Sequence, residues 1–191
     1  MLSRLFSVVA ALSLFFAASA FAAGGPPANV DIVQRPGGIS YAVPKGGPLR
    51  FKNFDDSGAH FAGRIRLTGT YYYGHSGNDP SAELVDEPDL YFRPDDATRA
   101  LLPFWYERGA VDEIYFENPD AFLGAVLTAG EIARVKQRKV HSVTGSLAIW
   151  VDNYYATAEC DHPEYTVRFL KVDQPPALLA RNEFVEQLGC G

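Results

Sequence analysis

Side chains alternate strictly from residue 143 to 151. Val143, Gly145, Leu147, Ile149 and Val151 are apolar or glycine, while Ser142, Thr144, Ser146 and Ala148 are small and mostly polar. A period of two marks a strand with one dry face and one wet face. The pattern resumes after Cys160, with Tyr165, Val167 and Phe169 on one side and Thr166 and Arg168 on the other. Residues 139–172 therefore predict two long antiparallel strands in a sheet buried on one side. A second alternation covers residues 61–73. Phe61, Gly63, Ile65, Leu67, Gly69, Tyr71 and Tyr73 share one parity, and Ala62, Arg64, Arg66, Thr68, Thr70 and Tyr72 the other. Glycine within a strand marks a bend or a close backbone approach, so this strand is expected to be long and sharply curved.

Shorter alternations predict strands at 49–54, 90–92 and 111–117. Residues 23–48 are crowded with glycine and proline and read as an irregular lead-in over the domain, with room for short strands at 30–33 and 39–43 only. Asp95 or Asp96 is placed to cap a short helix that Pro103 stops. Asn118 followed by Pro119 starts a longer helix, carried by Phe122, Ala125, Val126, Ala129, Ile132 and Ala133. Thr128 and Glu131 stand at capping-box spacing inside it. Residues 131–139 fit helix and strand alike. Leu178, Val185 and Leu188 at helical spacing, with Gly189 after them, predict a C-terminal helix over 176–188.

Three strands, a helix and two strands, with the first strand bent, is the order of an OB-type five-stranded barrel. The expected fold is mainly β with some α: a small antiparallel β-barrel, OB-like in strand order, with one interstrand helix and a C-terminal helix. It would occupy residues 49–191 as a single β-rich domain, with a β-sandwich as the alternative.

The first 22 residues stand apart from this pattern. Arg4 precedes the apolar run LFSVVAALSLFF, and Ala20-x-Ala22 supplies small residues for cleavage. These are the parts of a secretory signal peptide; a membrane anchor needs about 20 apolar residues. No later stretch is apolar enough to span a bilayer. The expectation is a soluble protein exported to the periplasm or outside the cell. The full chain carries a formal charge of −6, and loss of Arg4 makes the mature form more acidic by one unit. An acidic chain without a basic run argues against nucleic acid or anionic lipid as a general partner. Cys160 and Cys190 are the two cysteines, and in an exported chain they are expected to form a disulfide. Its loop of about 30 residues corresponds to roughly 3–4 kcal/mol of chain entropy. A reactive thiol in Cys160-Asp161-His162 is the alternative.

Motifs for catalysis are sparse. His60, His75, His141 and His162 have no metal-ligand spacing among themselves or with the cysteines, so neither metal nor cofactor is expected. Acidic pairs at 55–56, 86–89, 95–96 and 112–113 read as solvated turns and caps. Acting as rim carboxylates in one groove, they would suit a glycosidase. No nucleophile elbow or phosphate-binding glycine loop occurs, and the Ser/Thr face of 142–146 fits cross-strand hydroxyl pairs. Arginines and aromatics on the outer faces of the long strands remain, and Arg64, Arg66, Tyr72, Trp150 and Arg168 are the candidate ligand-binding residues. Barrel faces of this composition hold single strands or sugars, and the same residues also serve beneath covering loops and helices. The function expected is a non-enzymatic binding or interaction domain for a protein or a small polar ligand. An envelope-associated hydrolase acting on saccharide or cell-wall material is the alternative, and a structural envelope component the third reading.

Overall fold

A computed structural model describes residues 28–75, 87–159, 162–173 and 182–186. The expected signal peptide and the pair Cys160 and Cys190 lie outside these residues.

In chain order the elements are β1 (Val30–Gln34), β2 (Ser40–Pro44), β3 (Arg50–Phe54), β4 (Gly58–Gly74) and β5 (Asp89–Pro94), then the short helix α1 (Asp96–Arg99). There follow β6 (Phe104–Trp105), β7 (Tyr115–Phe116), the helices α2 (Pro119–Val126) and α3 (Ala129–Lys136), β8 (Val140–Glu159), β9 (His162–Val172) and β10 (Glu183–Glu186). The mainly β expectation holds, and the two strong alternations are β4 and β8. These two strands form the antiparallel spine of the molecule, running from the Gly58–Thr157 pair to the Gly74–Ser142 pair.

Each outer edge of this spine is shared by two shorter strands. β3 and β5 take the two halves of β4, while β9 and β10 take the two halves of β8. Beyond β9 lies β7, in parallel. The hairpin β1–β2 and β6 make a separate three-stranded sheet.

No sheet of the described residues closes into the expected OB-like barrel. Within 111–117, expected as one strand, the ladder to β9 is only two residues long. Ahead of it a single pair, Phe92 with Ile114 (2.8 and 2.9 Å), joins β5 to this segment. The two short strands allowed for in the lead-in are β1 and β2; they pair as a regular hairpin that gives Tyr41 and Val43 to the core, so this stretch is not the irregular cover expected.

Side-chain parity explains which face is dry. On β4, Phe61, Ile65, Leu67, Tyr71 and Tyr73 are buried, and Arg64, Arg66 and Thr70 are exposed. Midway, β4 advances from Phe61 to Arg64 while β8 moves only from Tyr154 to Asp152. Gly63 makes this bulge possible: its φ is +131°, and a Cβ there would lie 2.3 Å from the Pro48 carbonyl oxygen. Opposite it Asn153 has φ +56°, and the inward parity of β8 switches from Leu147, Ile149 and Val151 to Tyr154 and Ala156. Gly69 serves close approach, since a Cβ would lie 2.1 Å from the Arg93 carbonyl oxygen on β5. Both roles expected of the strand glycines are thus filled.

Aromatic rings fill the interior in two groups. Phe122 on α2 stacks on Phe116 (4.4 Å between centroids) and meets Phe169 and Tyr71 edge-on. Tyr41 of the hairpin contacts Phe54 and Phe61, and Phe61 meets Tyr154. Burying one such ring contributes about 1.5–3 kcal/mol. Asn118 precedes α2 as expected but does not cap it. Its amide donates to the Phe169 carbonyl (3.0 Å) and accepts the Phe169 N–H (2.8 Å), adding a rung to the β7–β9 ladder. Thr128 and Glu131 do form the expected capping box on α3. The ambiguous stretch 131–139 is helix to Lys136, after which Arg138 at φ +55° turns the chain into β8.

The C-terminal helix is not found where residues are described. Residues 183–186 form β10 on the half of β8 that β9 leaves open, with Val185 exposed. An open strand edge offers backbone hydrogen bonds that outweigh three apolar residues at helical spacing. The remainder of 176–188 lies outside the described residues.

Candidate functional site

The outer face of the spine divides into a covered half and an open half. In the covered half, Thr68 bonds to Thr98 (2.8 Å) and to Asp95, which caps α1. Thr70 and Ser146 make the expected cross-strand hydroxyl pair (3.3 Å). Tyr72 belongs here and not with the arginines. Its ring stacks on Tyr91 (4.9 Å) and its hydroxyl donates to the His75 carbonyl (3.0 Å). Six residues of extended strand set it about 20 Å from Arg66.

The open half gathers the other four candidates. The strand register sets Arg66 beside Trp150 and Trp150 beside Lys171, and in the next row Arg64 beside Asp152 and Asp152 beside Arg168. Two of the arginines are held by carboxylates. Arg168 grips Asp152 through Nε (2.8 Å) and Nη2 (3.0 Å). Its hydrogen bonds and charge, with Arg64 adding to the field, hold the Asp152 carboxyl below its usual range. Arg66 Nε donates to Asp173, which also accepts the indole N–H of Trp150 (2.7 Å). Those two bonds lower the Asp173 pKa.

Arg64 and Lys171 make no hydrogen bond or ion pair with another described residue through their side chains. With Trp150 and Leu170 they line a groove of about 400 Å³. Leu170 and Lys171 were missed in the sequence for a physical reason. Lys171 shares odd parity with the buried Tyr165, Val167 and Phe169, but a bulge at Leu170 resets β9. Trp150 therefore faces Lys171, while Val151 faces Phe169. The bulge turns the lysine outward and leaves Leu170 37% exposed.

A second concavity of about 470 Å³ lies at the other end of β9, lined by Arg108, Asp112, Glu113, Tyr115 and Tyr165 among others. It contains one of the expected acidic pairs. Glu113 is fully engaged: Oε1 receives Nε (3.2 Å) and Nη2 (2.7 Å) of Arg93, and Oε2 receives the Tyr115 hydroxyl (3.2 Å). Burial and the Glu113 charge push the Tyr115 phenol up to about 12.

A third cluster closes the β3–β4 turn. Asp55 accepts bonds from His60 Nε2 (2.7 Å), the Tyr155 hydroxyl (2.8 Å) and the N–H groups of Ser57 and Gly58 (2.9 and 2.8 Å). Partial desolvation acts upward on its pKa, but the bonds from His60, Ser57, Tyr155 and Gly58 outweigh it and carry the carboxyl far below its usual range. Among the described residues every carboxyl with a resolved shift moves down. No group of three His, Cys, Asp or Glu side chains among them is placed to hold a metal. No helix of the described residues is long and apolar enough to cross a membrane.

No protein-family model, curated protein or solved structure matches this chain.

Proposed function

We propose that the chain is a non-enzymatic binding module that holds a small anion with a ring-shaped or otherwise apolar body on the outer face of β4, β8 and β9. The groove at Trp150 carries this reading. There an indole, an exposed leucine and two cations without ion-pair partners among the described residues converge. An aromatic wall beside cations is suited to a ligand apolar on one side and charged on the other. A volume near 400 Å³ falls within the roughly 300–1,000 Å³ range of small-molecule sites. Arg66 and Arg168 are balanced by Asp173 and Asp152, so Arg64 and Lys171 leave this face net positive on a chain whose formal charge is −6, and that local excess favours an anion here. The signal-like residues 1–22 support export, with the site working in the periplasm or outside the cell.

The hydrolase alternative has less support. Both carboxylate oxygens of Glu113 in the second concavity already accept bonds from Arg93 and Tyr115, which occupies the group a hydrolase would need for proton transfer.

Phenyl phosphate, with benzyl alcohol as its neutral counterpart, tests the proposal by tryptophan fluorescence. Saturable quenching by the phosphate is expected, absent with the alcohol and absent in Trp150→Phe. Trp105, the other tryptophan, is buried and does not line the groove. A linear, non-saturating response in the native protein would overturn the reading.

A further inference from the structure

The cations of the open face are not all in the same state. Among the described residues Arg64 and Lys171 have no ion-pair partner, Arg168 is clamped by Asp152, and Arg66 shares Asp173 with the Trp150 indole. The two carboxylates sit differently. Asp152 lies within the paired part of β8, its side chain is only 15% exposed, and it receives two bonds from one guanidinium. Asp173 follows the last residue of β9, anchored through its N–H to the Ala148 carbonyl (2.8 Å), and its side chain is 29% exposed. Its two acceptor oxygens take one N–H from a guanidinium and one from an indole. A ligand oxyanion seated against Trp150 with its charge toward Arg66 would call on the same two donors.

Resting on the reading of the Trp150 groove as an anion site, we propose that Asp173 is a built-in competitor: it occupies the oxyanion subsite formed by Arg66 Nε and Trp150 Nε1, and a ligand completes its binding by displacing it. The ligand is thereby an oxyanion such as a phosphate, sulfonate or carboxylate, with the apolar body lying on Trp150 and Leu170 and the charge shared among Arg66, Arg64 and Lys171. Displacement is cheap because exposed ion pairs contribute little net stability, and the released aspartate returns to water. The same exchange at Asp152 is disfavoured by its bidentate bond and deeper position. Asp173 thus sets a threshold. Weak or singly contacting anions leave it in place, and an anion that also reaches Arg64 and Lys171 replaces it.

Phenyl phosphate titrations of the native protein, Asp173→Asn and Asp173→Ser test this. Both variants are expected to bind at least five-fold more tightly than the native protein. Adding Arg66→Gln to Asp173→Asn is expected to remove most of that gain, because the vacated subsite then lacks its guanidinium. The Trp150 indole N–H resonance gives a measurement on the unaltered chain, and it is expected to shift as phenyl phosphate saturates the site. If the native protein binds but both Asp173 variants bind equally or more weakly, or the indole resonance stays fixed at saturation, the competitor role is wrong and the groove reading survives. If neither the native protein nor any variant shows saturable binding, the groove reading fails and this inference with it.

Discussion

The two faces of the β4–β8–β9 sheet are built from the same three strands and obey opposite rules. On the inner face Ile65, Leu67, Val151, Val167 and Phe169 are buried, and Phe122 of α2 packs edge-on against Phe169. On the outer face the neighbouring residues in the same strands are Arg64, Arg66, Trp150, Asp152 and Arg168. Inside, the side chains are held by packing against one another, so a change is felt as stability. Outside, charges oppose one another only in part, and what stays unopposed defines a site. The number of arginines on a surface therefore says less than which of them already have carboxylates.

Four experiments would break or sharpen this contrast, the first having the largest effect. Phe122→Ala empties the centre of the inner aromatic group and is expected to cost about 3–5 kcal/mol in denaturant unfolding, while the folded fraction keeps its affinity for phenyl phosphate. Equal damage to both properties would mean the faces are not independent. Gly63→Ala places a Cβ against the Pro48 carbonyl at a positive φ, which should cost roughly 1–3 kcal/mol. It should also weaken binding, because this bulge sets Arg64 beside Asp152; a variant of native stability and native affinity would show that the bulge tolerates any residue.

The third change confines itself to the outer face. Arg64→Ala with Lys171→Ala is expected to weaken phenyl phosphate at least ten-fold, about 1.4 kcal/mol, and to leave the unfolding midpoint nearly unmoved. Arg108→Ala, at the other concavity, should leave that affinity unchanged. The last is the gentlest and concerns pH. The folded pKa of Asp55 is depressed, so its contribution to stability is complete above the unfolded value near 4 and is lost as pH falls through the folded value. Native protein should therefore lose stability progressively below about pH 4. Asp55→Asn should show a shallower decline over the same window. Parallel acid curves for the two proteins would remove Asp55 from the account.

Much of this was legible in the chain because strand parity is local. Phe61, Ile65, Leu67 and Tyr71, and likewise Leu147, Ile149 and Val151, declare their face by spacing alone, and the glycines at 63 and 69 announce a bend and a close approach. The Thr128–Glu131 box and the Asp95 cap are equally local, since each bonds within one turn. The outward parity of Arg64, Arg66, Trp150 and Arg168 is legible on the same ground.

What spacing could not give are the terms that depend on a partner. Tyr72 shares parity with Arg66 yet belongs to the Tyr91 stack, which only the β4–β5 register decides. Lys171 has inward parity and faces outward, because its place is set by a bulge against β8. Val185 stands at helical spacing with Leu178 and Leu188, yet residues 183–186 form a strand, because β8 offers an open edge. The sequence by itself determined a β-rich chain and the two faces of its long strands. Only the tertiary structure decided that the sheets stay open, and which charges on the wet face meet a carboxylate. Alternation is a property of one strand; register, bulge pairing and ion pairing are properties of two.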